Sequence, residues 1–245
     1  MTRHRIGTHE EWKAARERLL EREKAHTRLG DELAQARREL PWVPVERDYA
    51  FETESGTKSL GDLFDGRSQL LIYHFMFGPS YEAGCPTCSS MADTFDGAIA
   101  HLRARDATFI CVSSAPIEKL AAYKRRMAWD FEWASAPEFN ADFGFLQTED
   151  EVREWIEPAL ENGPPILTHN AAATGTDPIA YVSEVFGFSS FASDEGAIYH
   201  TYSTTGRGVE FLMGYYGILD RAPHGRDEGD AWQTWIRRHD EYGTE

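Results

Sequence analysis

The alternation of apolar and polar stretches along this chain of 245 residues predicts strands and helices in turn. Residues 69–77 and 108–113 are short, nearly continuous apolar runs, as expected for strands that are covered on both faces. Helices are predicted after them, over residues 85–104 and 116–127, and residues 130–134 form a third, short strand. This order implies a parallel sheet with right-handed crossovers.

An amphipathic helix is predicted before the first strand. Thr8 and Glu11 have the spacing of a capping box, and the apolar residues that follow recur mostly at intervals of three, four or seven. These apolar residues are Trp12, Leu19, Leu29, Leu33, Ala36 and Leu40. We therefore expect a helical extension over residues 1–45, ahead of a main domain over residues 46–245. The apolar face of the helix fits either a contact in a homodimer or packing on the chain's own core.

The segment from about residue 146 to residue 184 separates this sheet pattern from the strands that follow, and we interpret it as an insertion. Residues 149–160 are predicted to be helical. Residues 169–177 have the composition of a loop, and residues 179–185 fit either a strand or a helix.

The last part of the chain predicts a hairpin and two helices. Residues 188–192 and 197–203 have strand character and flank a short polar turn. Helices are predicted over residues 209–219 and 230–241. The pattern as a whole indicates one elaborated α/β domain with an N-terminal extension.

Composition and charge exclude several classes of protein. Hydrophobic residues make up 41% of the chain and aromatic residues 13%, which excludes a disordered chain. No apolar run approaches the roughly 18 residues of a membrane span. With 25 basic and 41 acidic residues the formal charge is −16, so the positive field that drives binding to nucleic acids or anionic membranes is absent. The charged start of the chain has no apolar signal-peptide centre, and a cytoplasmic protein is expected.

Two of the three cysteines form a close pair, Cys85 and Cys88, at the junction between a predicted strand and a predicted helix. In a reducing compartment such a pair more often carries redox or metal chemistry than a structural bridge. Unpaired N–H groups at a helix N-terminus favour the thiolate. Because three residues along a helix bring the sulfurs close together, we expect Cys85 to be an exposed nucleophile and Cys88 the resolving thiol.

Two other interpretations of the pair remain open. Both cysteines fit a core helix, and Cys111, alone in an apolar strand, is interpreted as an inert core residue. A zinc site would need a second pair of ligands, and the sequence contains no second CxxC and no HxxxH. We therefore expect no metal ion and no bound cofactor.

The segment around the pair resembles the thioredoxin superfamily. The resemblance is carried by residues 56–64 (GTKSLGDLF), the buried strand, the CPTC turn and the αβ units after it. The chain is more closely similar to bacterial thioredoxin-like proteins that are identified as predicted dithiol–disulfide oxidoreductases or isomerases. The stretches shared with them are residues 76–102, 108–113, 142–145 and 196–229. This resemblance implies a thioredoxin-like α/β fold, a central mixed sheet flanked by helices, and a protein or small-molecule thiol or disulfide as partner.

Four residues are candidates for supporting roles. His74 lies in the strand that leads to the pair, where the resemblance implies a buried group that accepts the proton of the resolving cysteine. His200, Tyr202 and Arg207 lie in a stretch shared with the resembled proteins, and in this fold strand ends gather near the first helix. A cation there would stabilise a thiolate. The alternatives are a core histidine, an aromatic edge strand and an arginine paired with an acid.

Three functional hypotheses follow, and the first is a dithiol–disulfide oxidoreductase that uses Cys85 and Cys88. The second is a thioredoxin-like binding or assembly module without redox turnover. It is favoured by the inserted segment and by a missing proline, because Phe188 and Ser189 stand where the resemblance implies a proline that faces the pair. The third is a thiol-dependent enzyme that modifies a metabolite.

Overall fold

The chain divides into two units, residues 1–42 and residues 43–245, in a computed structural model. The structure describes residues 5–162 and 165–243. The ends of both predicted domains and two residues of the predicted insertion, 163 and 164, therefore lie outside the described residues. None of the helices in the described part is both long and apolar enough to cross a membrane.

The first unit contains the predicted N-terminal helix, α1 (His9–Arg38). Its capping box is present: Glu11 N donates to Thr8 Oγ1 at 3.2 Å, and Thr8 N donates to Glu11 Oε2 at 2.8 Å. Two arginines in the last turn complement the negative end of the helix dipole. No residue of α1 is buried. Its apolar residues are therefore open to solvent in this chain.

The second unit is built on one sheet of eight strands. The strands are β1 (Val43–Pro44), β2 (Ala50–Thr53), β3 (Gly56–Ser59), β4 (Gln69–His74), β5 (Ala107–Ser113), β6 (Glu132–Ser135), β7 (Gly187–Asp194) and β8 (Ala197–Thr205). Their order across the sheet is β1-β8-β7-β4-β5-β6-β2-β3. The strands β4, β5 and β6 run parallel, whereas β7 pairs with β4 and β8 with β7 in the antiparallel sense. This mixed sheet confirms the thioredoxin-like fold class.

Helices cover the sheet. They also occupy much of residues 146–184, the segment predicted as an insertion, which we call the inserted segment. They are α2 (Pro86–Ala92), α3 (Phe95–Arg103), α4 (Ile117–Arg126), α5 (Pro137–Asp142), α6 (Glu149–Asn162), α7 (Ile166–Thr174), α8 (Pro178–Ser183) and α9 (Gly214–Leu219). Short 3-10 helices cover Asp62–Phe64, Gly206–Leu212, Gly229–Ala231 and His239–Glu241. The helices α6, α7 and α8 lie between β6 and the last two strands, within residues 146–184.

The two apolar runs of the sequence became central strands with a core on each face. All seven residues of β5 are buried. Because successive side chains of a strand point to opposite faces, the sheet separates two hydrophobic clusters. One contains Tyr73, Phe75 and Trp133 together with both paired cysteines, and the other contains Ile72 and Phe139. The cysteine pair therefore lies in the core of one face.

Some predicted elements differ from the structure. The helix predicted over 85–104 is divided into α2 and α3 at Thr94, whose backbone N–H and hydroxyl both bond to the carbonyl of Met91. The predicted loop over 169–177 is wrong, because its first six residues belong to α7. The helix predicted over 230–241 is also wrong, since this stretch forms only 3-10 turns and loops. Within it, Arg238 donates to the backbone carbonyl of Gly84.

The predicted C-terminal hairpin is confirmed. Strands β7 and β8 are joined by Glu195 and Gly196, which both have positive φ angles, 47° and 85°. A two-residue loop with this geometry matches the twist of antiparallel strands. Residues 209–219, predicted as one helix, form a 3-10 helix followed by α9.

Candidate functional site

The paired cysteines lie where the chain leaves β4 and enters α2. Cys85 is the N-cap residue of α2 and Pro86 is its first residue, a position that suits the fixed φ of proline. Cys88 lies in the first turn of the same helix. Both thiols are free, and each residue is 1% exposed. The prediction that Cys85 is exposed is therefore wrong, because helices of the inserted segment cover it.

Two side chains of the insertion contact the sulfur of Cys85. The hydroxyl of Tyr181, on α8, lies 3.2 Å from Cys85 Sγ. The Nδ2 atom of Asn170, on α7, donates to the Tyr181 hydroxyl at 3.1 Å and lies 3.9 Å from the sulfur. The phenol group is therefore oriented by the amide, and both are directed at the thiol.

The two thiols differ strongly in acidity. Burial raises the pKa of Cys85, but hydrogen bonds from the Cys88 thiol, from the Tyr181 hydroxyl and from the backbone N–H groups of Cys88 and Thr87 outweigh it and lower the pKa to about 7. The pKa of Cys88 is raised well above its ordinary value by burial and then by the neighbouring Cys85. Because α2 has only seven residues, these local donors account for the acidity of Cys85.

The residue before Cys85 is fixed from both sides. Gly84 has no room for a side chain, since a Cβ atom would lie 2.8 Å from the rings of Phe75 and Tyr123. The carbonyl oxygen of Gly84 accepts from Nε and Nη2 of the buried Arg238 at 3.0 and 2.7 Å. The same guanidinium group donates to the carbonyl of Ala173 in α7, also at 2.7 Å. This arginine therefore links the start of α2, the insertion and the C-terminal segment.

A cavity of about 350 Å³ lies over the pair. Cys85 and Cys88 form part of its wall, and the inserted helices contribute much of the rest, including Asn170 and Tyr181. Glu184, which follows α8, also lines it. Burial raises the pKa of Glu184 to about 8, while the Ser114 hydroxyl donates to its Oε2 atom at 3.0 Å. The carboxyl group is consequently protonated at neutral pH.

The whole chain matches a known family. A family described as "Bacterial protein of unknown function (DUF899)" matches residues 1–242. The chain belongs to the DUF899 family. A comparison of this DUF899 protein with curated proteins found no match.

Solved structures similar to this DUF899 protein share little sequence with it. A reduced 2-Cys peroxiredoxin of Plasmodium vivax is 12% identical, with a TM-score of 0.42, over 73% of this chain and 93% of its own. A peroxiredoxin Q of Xanthomonas campestris is 12% identical, with a TM-score of 0.37, over 70% and 89%. A putative thiol:disulfide interchange protein DsbE of Chlorobium tepidum is 12% identical, with a TM-score of 0.37, over 72% and 97%. These identities are too low to transfer an activity.

His74 of this DUF899 protein lies on the opposite face of the sheet from the cysteines. Its neighbour Tyr73 belongs to the cysteine cluster, so the alternation of β4 directs His74 the other way. Its Nδ1 atom donates to Asn140 Oδ1, and its Nε2 atom accepts from Ser189 Oγ, both at 2.8 Å. Burial lowers its pKa to about 3, and the ring is neutral. The structure does not bring this residue to the pair.

The other three candidates belong to β8 and the segment after it. His200 Nε2 lies 2.6 Å from Ser203 Oγ, and Tyr202 is paired in register with Ser190 on β7. Arg207 has a side chain that is 76% exposed and forms an ion pair with the carboxylate of Glu210 at 2.8 Å. The described contacts of His200 and Arg207 are thus made away from the cysteines.

Asn170 and Tyr181 were missed from the sequence because their segments were assigned to a loop and to an ambiguous element. One signal was present. Ile166, Asn170 and Thr174 are spaced by four residues, and all three are buried on one face of α7. An amide on such a buried face is a polar group that needs a hydrogen-bond partner, and this marks Asn170 as a candidate for a functional role. No group of three or more His, Cys, Asp or Glu side chains in the described ranges is placed to hold a metal ion.

Proposed function

We propose that this protein is a thiol–disulfide oxidoreductase in which Cys85 is the nucleophile and Cys88 the resolving thiol. The observation that carries the proposal is the opposite perturbation of two neighbouring thiols: the pKa of Cys85 is lowered to about 7, and that of Cys88 is raised. Only a thiolate attacks a disulfide. At neutral pH one thiol of this pair is therefore ready to react and the other holds its proton.

The cause of the raised pKa of Cys88 supports a sequential mechanism. After burial, the largest contributions come from the hydrogen bond and the negative charge of Cys85. Both disappear once Cys85 is joined to a substrate sulfur in a mixed disulfide. The pKa of Cys88 then falls, and its thiolate attacks Cys85 Sγ to form the internal bridge. A cytoplasmic reductant of the dithiol class would restore the pair.

We assign to Tyr181 and Asn170 the supporting role that was predicted for His74, His200, Tyr202 and Arg207. The Tyr181 hydroxyl donates to the thiolate of Cys85, and the Asn170 amide orients that hydroxyl. Hydrogen bonds to a charged acceptor are roughly twice as strong as those between neutral groups. They offset the cost of holding a thiolate in a buried site.

The test combines a redox titration with alkylation of the native protein. In dithiothreitol buffers we expect a reversible Cys85–Cys88 bridge, seen as loss of two alkylatable thiols when the protein is quenched and unfolded before labelling, with a midpoint between about −120 and −300 mV. Cys85→Ser should abolish the bridge and the reaction with iodoacetamide near neutrality. Cys88→Ser should keep a reactive thiol but lose the bridge. Cys111→Ser should keep both the reactive thiol and the bridge. A wild-type protein without a bridge over that range would overturn the proposal.

A second candidate is a thioredoxin-like binding or assembly module without redox turnover. The observation that favours it is the cover over the pair, since each of the two cysteines is only 1% exposed. In that case the cavity would hold a ligand and the cysteines would stay reduced throughout. The same titration separates the two functions, because a binding module forms no bridge.

A further inference from the structure

Two buried hydrogen-bond acceptors in the cavity over the pair have no partner among the described residues. One is Oδ1 of Asn170, a residue that is 3% exposed, and the other is Oε1 of Gln147. Both residues line the cavity. An unpaired buried acceptor loses its hydration without compensation, and native proteins contain few of them. The two oxygens therefore mark where a ligand with hydrogen-bond donors would bind.

The rest of the wall indicates that this ligand is uncharged. Most of the described residues that line the cavity are apolar or aromatic, and none of them is Lys, Arg or Asp. Its one carboxyl group, on Glu184, is protonated at neutral pH because burial raises its pKa to about 8. An anion would lose its hydration here and be repelled by the Cys85 thiolate, and a ligand with two positive charges would lose the hydration of both for a single negative charge.

The size and position of the cavity indicate a small ligand. Its volume of about 350 Å³ is at the lower end of small-molecule pockets, which range over roughly 300–1,000 Å³. On the sides that do not face the cavity, the sulfur of Cys85 is covered by Tyr181 and Asn170. Trp155 and Trp232, which are 44% and 38% exposed, lie on the side of the cavity that faces solvent. Because Cys85 is only 1% exposed, a disulfide held rigidly in a folded protein would not reach its sulfur unless these covering groups moved.

We propose that this cavity binds the oxidised substrate of Cys85, and that this substrate is a small, uncharged organic disulfide with hydroxyl or amide donors for Asn170 Oδ1 and Gln147 Oε1. The inference rests on the proposed oxidoreductase function and adds the substrate class to it. The apolar body of the substrate would fill the chamber beside Cys85, and its donors would satisfy the two unpaired oxygens.

The reaction balances with the two thiols of this chain. The Cys85 thiolate attacks one substrate sulfur, an S–S bond to Cys85 forms, the substrate S–S bond breaks, and one thiolate leaves. Cys88 then gives up its proton and attacks Cys85 Sγ, so that the internal bridge forms and the second substrate thiolate leaves and takes up a proton. One disulfide is reduced to two thiols, and two cysteines are oxidised to one disulfide. An external dithiol reductant completes the cycle.

A series of disulfides of nearly equal size tests the proposal on the full chain. Bis(2-hydroxyethyl) disulfide is uncharged and carries donors, dipropyl disulfide has the same shape without donors, and cystamine carries two positive charges. Insulin represents a protein disulfide. The rate constant for oxidation of the reduced protein is measured with each, and is divided by the rate constant of the same disulfide with free 2-mercaptoethanol to correct for intrinsic reactivity.

We expect the hydroxyl-bearing disulfide to react about five-fold faster than dipropyl disulfide after this correction, the gain that one added hydrogen bond of about 1 kcal/mol gives. Cystamine should be slower by more than ten-fold, and insulin should not react measurably. Equal corrected rates across the series, or fast reduction of insulin, would overturn the inference. The proposed function would survive that result, because the Cys85–Cys88 bridge is measured separately by the dithiothreitol titration.

The variant Gln147→Leu identifies the acceptor. It removes an oxygen that makes no hydrogen bond in the described structure, so folding is not expected to suffer. The ratio of the corrected rates for bis(2-hydroxyethyl) disulfide and dipropyl disulfide should fall toward one. Gln35→Leu, the same change on the exposed surface of α1, is the matched control and should keep the ratio. An unchanged ratio in Gln147→Leu would contradict the assignment of this oxygen.

Discussion

The acidity of Cys85 depends on individual hydrogen-bond donors, and the Tyr181 hydroxyl is the one that a single substitution removes most cleanly. Tyr181→Phe deletes the donor and keeps the ring. A hydrogen bond to a charged group contributes roughly 1.5–3 kcal/mol, and one pKa unit corresponds to about 1.36 kcal/mol. We therefore expect the pKa of Cys85 to rise by about one to two. The measurement is the pH dependence of thiolate absorbance or of the alkylation rate.

The control for this prediction is Tyr215→Phe. The Tyr215 hydroxyl lies 2.8 Å from Ser90 Oγ, on the same helix as the pair, and it is not among the groups that shift the pKa of Cys85. This variant should leave the acidity of Cys85 unchanged. If both variants gave the same pH profile as the wild type, the thiolate would be stabilised by the Cys88 thiol and the backbone donors without Tyr181.

Glu184 links stability to pH. Its pKa in the folded protein is about 8, above the ordinary value of 4.5, because of burial. The stability that the protonated carboxyl provides is thus complete below about pH 4.5 and is lost as the pH rises toward 8. The loss is roughly 1.4 kcal/mol for each pH unit in that window.

Glu184→Gln should remove this dependence. Between pH 5 and pH 7 the wild-type free energy of unfolding is expected to fall by roughly 2–3 kcal/mol more than that of the variant. Urea unfolding at the two pH values measures the difference, and Glu132→Gln, at an exposed position of β6, is the control. Parallel pH curves for the wild type and Glu184→Gln would show that the carboxyl ionises freely in the fold.

At the scale of elements, the start of α2 depends on close packing around Gly84. Gly84→Ala would place a Cβ atom 2.8 Å from ring carbons of Phe75 and Tyr123. Overpacking of this kind typically costs about 1–3 kcal/mol. Gly97→Ala, inside α3 with nothing within 4 Å of the added atom, is the matched comparison and should stabilise the protein by about 0.5–1 kcal/mol. Denaturant unfolding should therefore move in opposite directions for the two variants, and a shift in the same direction would contradict the packing described for Gly84.

Elements with a strong local pattern could be predicted from the sequence. Strands β4 and β5 are continuous apolar runs, α1 has a capping box, and the β7–β8 hairpin has a Gly at its turn. The division between α2 and α3 could not be predicted, because it depends on local bonds of Thr94 in a stretch with good helical composition. The helix α7 was missed because its Asn and Thr residues, and Gly175 just after it, have low helix propensity, and tertiary packing overrides that preference.

The candidate site was predictable only in part. The spacing of Cys85 and Cys88 predicted the two neighbouring thiols on which the proposed function rests. The groups that set its acidity come from α7 and α8, about 85 and 96 positions further along the chain. No local pattern shows which distant side chain will reach a sulfur, and His74 was proposed because the resemblance implies a buried proton acceptor in the strand that leads to the pair. The alternation of β4 directs that residue to the other face.

At the scale of the whole molecule, α1 supports the prediction of a homodimer. Trp12, Leu19 and Leu33 repeat at multiples of seven residues, and all three are exposed. A heptad repeat of apolar residues on an exposed helix is typical of a coiled-coil contact. We expect the chain, of 27.8 kDa, to behave as a dimer in light scattering.

Leu19→Glu combined with Leu33→Glu should give a monomer, since two carboxylates would interrupt the apolar stripe. Thr27→Glu combined with Gln35→Glu adds the same charge to α1 outside the heptad positions and should keep the dimer. A wild-type protein that is monomeric at high concentration would contradict the prediction. The oxidation kinetics of the cysteine pair should be the same in both double variants.

The two partly exposed tryptophans on the cavity wall give this protein an internal optical reporter. Trp155 and Trp232 flank the chamber from the side that faces solvent. Displacement of water around an indole ring shifts its emission to shorter wavelength, so that occupancy of the chamber is visible without any label. Because the reporters are separate from the sulfurs, fluorescence reports that a molecule has entered, and the thiol count reports separately whether it has reacted.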